Sequence, residues 1–358
     1  MSDDAPYSDV RHEPGNRGRE AGQPGQVPLR GWKDVAIRLK RQLQEDGVPL
    51  LAAGVAFFAL LALVPSLVAL VSIYGLVADP ADVQSTVDDA LRAAPTEVQD
   101  LVSSQLDSVV SSESSGLRLG VVVGLALALW SASSGMKHLM GALTLAYDET
   151  EDRKFLRLRG LALALTLGGV VVLALAVASM VAPNALDDSG AAGTVRLVLQ
   201  VLRWPVLGLV GMVTLSLLYR WGPDRDAPRF RWTSPGAVLA TLVWVAASIG
   251  FSIYTANFGS YNETYGALGA IVVVMLWLYI TAYVIILGAE LNCELERQTV
   301  VDTTTGPARP LGERGAYAAD TLGRSTAELD GRVGPGGVEE RREAVPRRPA
   351  SFPPGDPG

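Results

Sequence analysis

Few side chains in this sequence could act in catalysis or bind a ligand, and most of them lie within or beside long apolar runs. The chain has two histidines, His12 and His138, and one cysteine, Cys293. A nuclease that activates water with a metal ion needs several clustered His and Asp ligands. The sequence has no His-x-His pair, no nucleophile elbow and no phosphate-binding glycine loop. It therefore predicts no catalytic residue, no metal site and no cofactor.

A stripe of polar residues lies within the second apolar run, Leu117–Gly141. Ser131, Ser134 and His138 recur at spacings of three and four, so they share one face of a helix. Polar side chains within a span usually face protein or water rather than lipid. For the serines, a polar path open to the cytoplasm and close packing between helices remain equal alternatives. A lone histidine is more often a packing residue than a ligand.

Glu290 is the one carboxylate attached to the inner end of an apolar run. It could bind a proton or a cation. It could also form a structural ion pair with a base such as Arg153 or Lys137, which is the alternative we slightly favour. Glu294 and Glu296 lie about one turn or more beyond Glu290, where we expect water to solvate them.

Arg203 precedes the fourth apolar run and shares one helical face with Arg196 and Gln200. We favour an interfacial helix with these arginines among the headgroups over a polar vestibule, because arginine in hydrocarbon is costly.

Asn292 is offset from Glu290 by about 160° around the helix. The candidate polar path consists of Ser131, Ser134, His138, Arg203, Glu290 and Asn292.

Six long apolar runs position these residues, and each is typical of a transmembrane helix. A helix rises about 1.5 Å per residue, so about 20 apolar residues cross the ~30 Å hydrocarbon layer. The runs are Leu50–Val77, Leu117–Gly141, Leu161–Val181, Trp204–Trp221, Pro235–Phe258 and Leu268–Glu290. The pattern predicts an all-α, polytopic membrane protein with six spans, whose first partner is the lipid bilayer.

The connections between the runs alternate in charge. Basic residues precede the first run and occupy the connections after the second and fourth runs, whereas Asp79–Gly116 is acidic and the two later outer connections have no base. Because cytoplasmic flanks are enriched in Lys and Arg, both termini are predicted to be cytoplasmic.

The net charge of −7 does not indicate nucleic-acid binding, which usually needs a clustered basic face.

The segments outside the runs differ in composition. Met1–Leu29 and Val301–Gly358 are rich in Gly, Pro and charged residues and are predicted to be disordered, which leaves residues 30–300 as the membrane domain. Gly31–Asp46 predicts an amphipathic helix on the inner membrane surface. Two short amphipathic helices are predicted within Asp79–Gly116, over the outer face.

Three stretches of the sequence carry a family resemblance. The first is Ala52–Pro65, and the second is Trp130–Gly135 with Tyr147 and Arg153. The third runs from Tyr265–Gly269 through Trp277–Tyr279 to Gly-Ala-Glu-Leu-Asn at Gly288–Asn292. Together they resemble the YihY/virulence factor BrkB family of bacterial inner-membrane proteins, over roughly Trp32 to Arg297. The resemblance implies six spans, a plasma-membrane location and no established common activity. Family members often have Asn at the position of Thr144, so a role of that Asn does not carry over.

Two functions fit these observations. The first is a transporter or flippase-like protein for a lipid-like or amphiphilic molecule, supported by the polar stripe, by Glu290 and by the helical outer connection. The second is a membrane scaffold or envelope-integrity protein that does not transport, in which the same polar residues hold helices together. The family was once labelled as a ribonuclease, which the scarcity of metal ligands makes improbable. The sequence does not indicate an oligomeric state.

The predicted topology can be tested with reporter fusions at Ser111 and Thr303. Because Lys and Arg alternate across every connection, we expect Ser111 outside the membrane and Thr303 in the cytoplasm. A cytoplasmic reporter at Ser111 or an external one at Thr303 would show that the topology is wrong.

Overall fold

The computed structural model describes residues 17–77, 115–181, 191–256 and 267–326, which form helices and no strand. The long helices are α1 (Leu29–Glu45), α2 (Val48–Val77), α3 (Ser115–Ala146), α4 (Phe155–Val181), α5 (Ala191–Trp221), α6 (Phe230–Ala256) and α7 (Ala267–Glu296). A 3-10 turn (Pro24–Gln26) precedes α1, and a short helix α8 (Tyr317–Asp320) follows α7. The all-α prediction is confirmed.

The helices α2 to α7 have 27 to 32 residues each, more than the ~20 that a bilayer requires. Four stretches in the described residues are long and apolar enough to span by themselves: Phe155–Ala176, Val201–Trp221, Phe230–Thr255 and Ile271–Glu296. A fifth candidate combines α1 with the first part of α2. This architecture is consistent with the six predicted spans. The helices predicted over the outer face lie in residues 78–114, outside the described residues.

Helix α1 is the predicted amphipathic helix, and two of its charged side chains, Asp34 and Arg38, point into the protein. A bend of 61° separates it from α2, and Gly47 at the bend has φ +60°, a conformation that glycine adopts without a steric penalty. The buried side of α1 carries Asp34, Val35 and Arg38 and packs on α7. Two of these three side chains are charged, so α1 docks on the protein rather than only on headgroups.

Helix α7 is the centre of the bundle and contacts α1, α2, α3, α6 and α8. It approaches α6 closely at Gly288, where a Cβ on Gly236 would overlap the Gly288 carbonyl oxygen. Small residues allow the two backbones to approach closely. Such close packing holds helices together in a bilayer, because lipid tails supply no hydrophobic force between them. In contrast, α4 and α5 present many large apolar side chains on the outside, including Val171, Leu173, Leu175, Val201 and Leu209.

The two described terminal segments pack against each other, which corrects the prediction of unpacked tails. The Val300 amide donates to the Arg19 carbonyl oxygen at 2.8 Å, and Arg19 Nη2 donates to the Gly323 carbonyl oxygen at 2.8 Å. Disorder was expected because these segments have few large apolar residues. They are held instead by hydrogen bonds to each other and to α7. The correction applies to residues 17–29 and 301–326, and residues 1–16 and 327–358 lie outside the described residues.

We predict that a chain ending at Thr326 unfolds at the same temperature in detergent as the full chain. A chain ending at Gly312 should unfold several degrees lower, because it loses hydrogen bonds that hold the C-terminal segment. The Arg314 side chain donates to the carbonyl oxygens of Val300 and Ala319. The Gly323 amide donates to the Arg297 carbonyl oxygen. Equal melting of both truncated chains would show that the C-terminal segment does not stabilise the bundle.

Candidate functional site

Ion pairs at the C-terminal end of α7 form a buried charged network, which we define as Arg38, Arg225, Glu294, Glu296 and Arg297. Arg38 on α1 pairs with Glu294, which also accepts a hydrogen bond from Arg297 at 2.6 Å. Arg225, in the connection between α5 and α6, pairs with both oxygens of Glu296 at 3.1 and 2.7 Å. The network therefore ties α1 and the α5–α6 connection to α7.

The structure corrects the expectation that water solvates Glu294 and Glu296. Both side chains are fully buried. Their partners Arg38 and Arg225 lie far from them in the sequence, so no local pattern could reveal the pairing. Helical periodicity alone made these residues look like the solvated end of a span.

Glu290 lies one turn before this network and does not form the ion pair that the sequence favoured. Arg153 instead binds Glu151, with Nη2 2.6 Å from Oε2, and the carbonyl oxygen of Gly222 at 2.8 Å. The Glu290 side chain is fully buried, and neither of its oxygens accepts a hydrogen bond from any donor among the described residues. Its carboxyl faces the carboxyl of Asp46, at the bend between α1 and α2.

Asn292 connects α7 to the beginning of α6. Its Oδ1 accepts from the Gly236 amide at 2.7 Å, and its Nδ2 donates to the Thr233 carbonyl oxygen at 3.2 Å. Pro235 inside α6 has no amide hydrogen and disturbs the helical hydrogen bonds around it. Asn292 supplies an acceptor and a donor at this point, so its position between two helices has a clear structural cause.

A basic cluster, which we define as Lys137, His138 and Arg159, lies beside Ser134. Arg159, on α4, donates from Nη2 to Ser134 Oγ at 3.1 Å, and its guanidinium carbon lies 4.4 Å from the centre of the Trp130 ring. Lys137 and Arg159 both lie near His138. Within the part of the chain that the structure describes, no carboxylate pairs with Lys137 or Arg159, and Arg159 Nε is buried without an acceptor.

The remaining members of the predicted polar path have separate surroundings. The His138 ring stacks on Phe58 with 3.5 Å between ring centres, which fits its predicted role in packing. Ser131 is exposed. Arg203 lies on α5 with its guanidinium 5.2 Å from the Trp204 ring. Across the described residues, Ser134 and His138 share one environment, whereas Arg203, Glu290 and Asn292 each have another.

The C-terminal segment meets the α3–α4 connection at Glu149. The Tyr317 amide donates to Glu149 Oε1 at 2.6 Å. Burial raises the pKa of Glu149 to about 7 from an ordinary value of 4.5, although this hydrogen bond and Arg225 oppose the shift. Because the folded protein holds this proton more tightly than the unfolded chain does, the contribution of Glu149 to stability falls as pH rises from 4.5 to about 7.

Sequence reasoning missed Asp46 and Arg159. Asp46 was the last residue of a helix expected on the membrane surface, and Arg159 was one of several bases used only to assign orientation. Each is a site candidate because of a residue on another helix. The Asp46 carboxyl faces Glu290, and Arg159 donates a hydrogen bond to Ser134. The only sequence signal available for Arg159 was its position two residues before the apolar run Leu161–Val181.

Comparison with known proteins agrees with this architecture. The virulence factor BrkB family model matches residues 39–312. The chain is 33% identical over 256 residues to ribonuclease-like protein YfkH of Bacillus subtilis, covering 69% of this chain and 90% of that protein. It is 28% identical over 279 residues to a UPF0761 membrane protein of Rhodospirillum centenum, covering 76% of this chain and 58% of that protein. A UPF0761 membrane protein of Alteromonas mediterranea is 25% identical over 260 residues.

The apolar helices and these relatives define the class: the chain is an integral membrane protein. It belongs to the virulence factor BrkB family, whose model matches most of its length. The family resemblance inferred from Gly288–Asn292 and the other motifs is thereby confirmed. No solved structure matches the chain.

We predict that Glu296→Gln lowers the free energy of unfolding by about 3 to 5 kcal/mol, because it leaves the fully buried Arg225 side chain without its carboxylate. The matched control is Glu151→Gln, which removes the partner of Arg153 where the carboxylate is 26% exposed and should cost about 1 kcal/mol or less. Denaturant unfolding in detergent measures both. Similar losses would contradict the buried pairing of Glu296.

Proposed function

We propose that this protein is a transporter or flippase-like protein of the bacterial plasma membrane, and that it moves a lipid-like, anionic amphiphile. The observation that carries the proposal is the basic cluster, Lys137, His138 and Arg159, which has no carboxylate partner among the described residues. A cation beside hydrocarbon is costly unless an anion or water compensates it. The phosphate or carboxylate of an amphiphile would provide that compensation.

The surroundings of the basic cluster suit an amphiphile better than a small soluble ion. Trp130 is 43% exposed beside Arg159, and indole rings favour the headgroup level of a bilayer. Helix α4, which carries Arg159, exposes Leu167, Val171 and Leu173 further along its length. A headgroup at Arg159 could therefore place its acyl chains against the apolar surface of α4.

The orientation belongs to the same proposal. Both described chain ends lie at one end of the bundle, because Arg19 binds the Gly323 carbonyl oxygen and the Val300 amide. Lys and Arg flank that end, which favours the cytoplasm. We therefore place Arg159 in the cytoplasmic leaflet, within reach of lipids on that side.

The proposal includes no enzyme activity and no nucleic-acid partner. A metal-dependent ribonuclease requires clustered ligands that activate water. Within residues 17–77, 115–181, 191–256 and 267–326, no group of three or more His, Cys, Asp or Glu side chains is arranged to hold a metal ion. The term ribonuclease-like describes the Bacillus subtilis relative, and nothing in the described side chains favours carrying it over to this chain.

A second candidate is a scaffold or envelope-integrity protein that binds lipid without moving it. The close contact of Gly236 with Gly288 and the hydrogen bonds of Asn292 favour this alternative, because they join α6 and α7 rigidly at the inner end. The two candidates differ in whether a bound amphiphile changes leaflet.

The test is lipid translocation by the purified protein in vesicles, using fluorescent analogues with phosphoglycerol or phosphocholine headgroups on the same chains. We expect the wild-type protein to accelerate movement of the anionic analogue. Arg159→Gln should slow it about tenfold, because a charge-assisted hydrogen bond contributes about 1.5 kcal/mol or more. Arg157→Gln is the matched control, since Arg157 is exposed on the same helix and should leave the rate unchanged.

Two other outcomes are informative. The protein could bind anionic lipid in a way that Arg159→Gln weakens, yet move it no faster than protein-free vesicles do. This result would support the scaffold function. Equal effects of Arg157→Gln and Arg159→Gln would show that general surface charge, not the basic cluster, attracts the lipid.

A further inference from the structure

The Asp46–Glu290 carboxyl pair lies where α1 bends into α2 and packs on α7. Glu290 is fully buried, and both of its oxygens lack a hydrogen-bond donor among the described residues. The facing carboxyl belongs to Asp46, whose Oδ2 accepts a hydrogen bond from Gln42 at 2.8 Å. Two ionised carboxylates are both acceptors and cannot bond to each other. With one proton between them, one carboxyl becomes a donor to the other.

The charges around the pair leave it without a cation. Glu294 binds Arg38 and Arg297, and Asp148 lies 3.8 Å from Arg297. These two arginines are therefore balanced by two carboxylates. Two groups remain near the pair: Glu45 of α1, which is exposed, and Cys293 of α7, which is buried and ordinarily neutral. Helix α2 has no acidic or basic side chain.

We propose that the Asp46–Glu290 carboxyl pair is a proton-binding site that holds the α1–α2 bend against α7. The pair takes one proton from water and returns it to water, and only the O–H bond forms and breaks. In the protonated state the two carboxyls share a hydrogen bond. When both are ionised, like charges in a buried position repel each other, and the bend separates from α7.

A metal ion is not the favoured occupant of this position. Among the residues with described side chains, no group of three or more acidic, His or Cys residues is arranged to hold a metal ion. The inference does not rest on the proposed transport, because proton binding can be measured without any substrate.

The first measurement is thermal unfolding of the full chain in detergent between about pH 5 and about pH 9. The folded pair retains a proton that the unfolded chain loses near pH 4, so stability should fall as pH rises. We expect the melting temperature of the wild type to fall by roughly 2 °C or more per pH unit. Glu290→Gln should flatten this slope and melt higher than the wild type at alkaline pH. Asp46→Asn should do the same.

Two controls separate the pair from its neighbours. Glu149 also titrates in this range, but it does so in the wild type and in Glu290→Gln alike, so its effect cancels in the difference. Glu294→Gln should lower the melting temperature at every pH, because it leaves the buried Arg38 without its carboxylate and Arg297 with only Asp148 at 3.8 Å. The Asp46→Asn, Glu290→Gln double variant should add little to either single variant, since one shared proton is lost in each.

The second measurement uses Cys293, the single cysteine of the chain, which is 1% exposed and lies one turn from Glu290. If ionisation of the pair separates the bend from α7, a maleimide should label Cys293 roughly tenfold faster in the wild type than in Glu290→Gln at alkaline pH, and equally fast at acid pH. Comparing the two proteins at the same pH removes most of the pH dependence of the thiol itself.

Three results would overturn the proposal. Glu290→Gln could melt below the wild type at every pH with an unchanged slope, which would mean that Glu290 is ionised and compensated. Cys293 could label equally fast in both proteins at alkaline pH. Sodium ions could restore the alkaline stability of the wild type but not of Glu290→Gln, which would identify a cation site instead of a proton site.

Discussion

The need to compensate charge at the C-terminal end of α7 is the constraint on which the rest of this structure depends. Glu294 and Glu296 are fully buried, and an ion buried without a partner costs several kcal/mol. Their partners come from α1 and from the α5–α6 connection. These elements therefore cannot leave α7 without exposing or unpairing a charge. The C-terminal segment also binds this network, because Arg38 donates to the Arg324 carbonyl oxygen and Thr303 donates to Glu296.

Packing within the bundle follows a different principle. Lipid tails are as apolar as leucine, so helices in a bilayer gain little from hiding apolar side chains from each other. The contact of α6 with α7 accordingly relies on two glycines and an asparagine, Gly236, Gly288 and Asn292. Tyr219 of α5 also donates a hydrogen bond to the Ile285 carbonyl oxygen of α7 at 2.9 Å. Helices α4 and α5 expose leucine and valine on the outside of the bundle. The result is a polar, closely packed C-terminal end of α7 and an apolar outer surface.

Two groups of charged residues stand apart from this compensation, and both are functional candidates for that reason. The basic cluster has cations without a carboxylate among the described residues. The Asp46–Glu290 carboxyl pair has two acids without a cation, inside the protein. A folded protein retains such groups at a cost in stability. An anionic headgroup would reduce the cost of the first, and a proton would reduce that of the second.

The sequence by itself determined the class of this protein. Six apolar runs of spanning length predict an all-α membrane protein, and the motifs of Ala52–Pro65 and Gly288–Asn292 identify the family, because both signals are local in the chain. Only the tertiary structure decided which polar residues meet. It placed Arg38 on Glu294, Asp46 opposite Glu290 and Arg159 on Ser134, and it packed terminal segments that composition alone had assigned to disorder. Pairing between residues far apart in the sequence produces no periodic pattern in it, because the geometry that joins them exists only after the helices have packed.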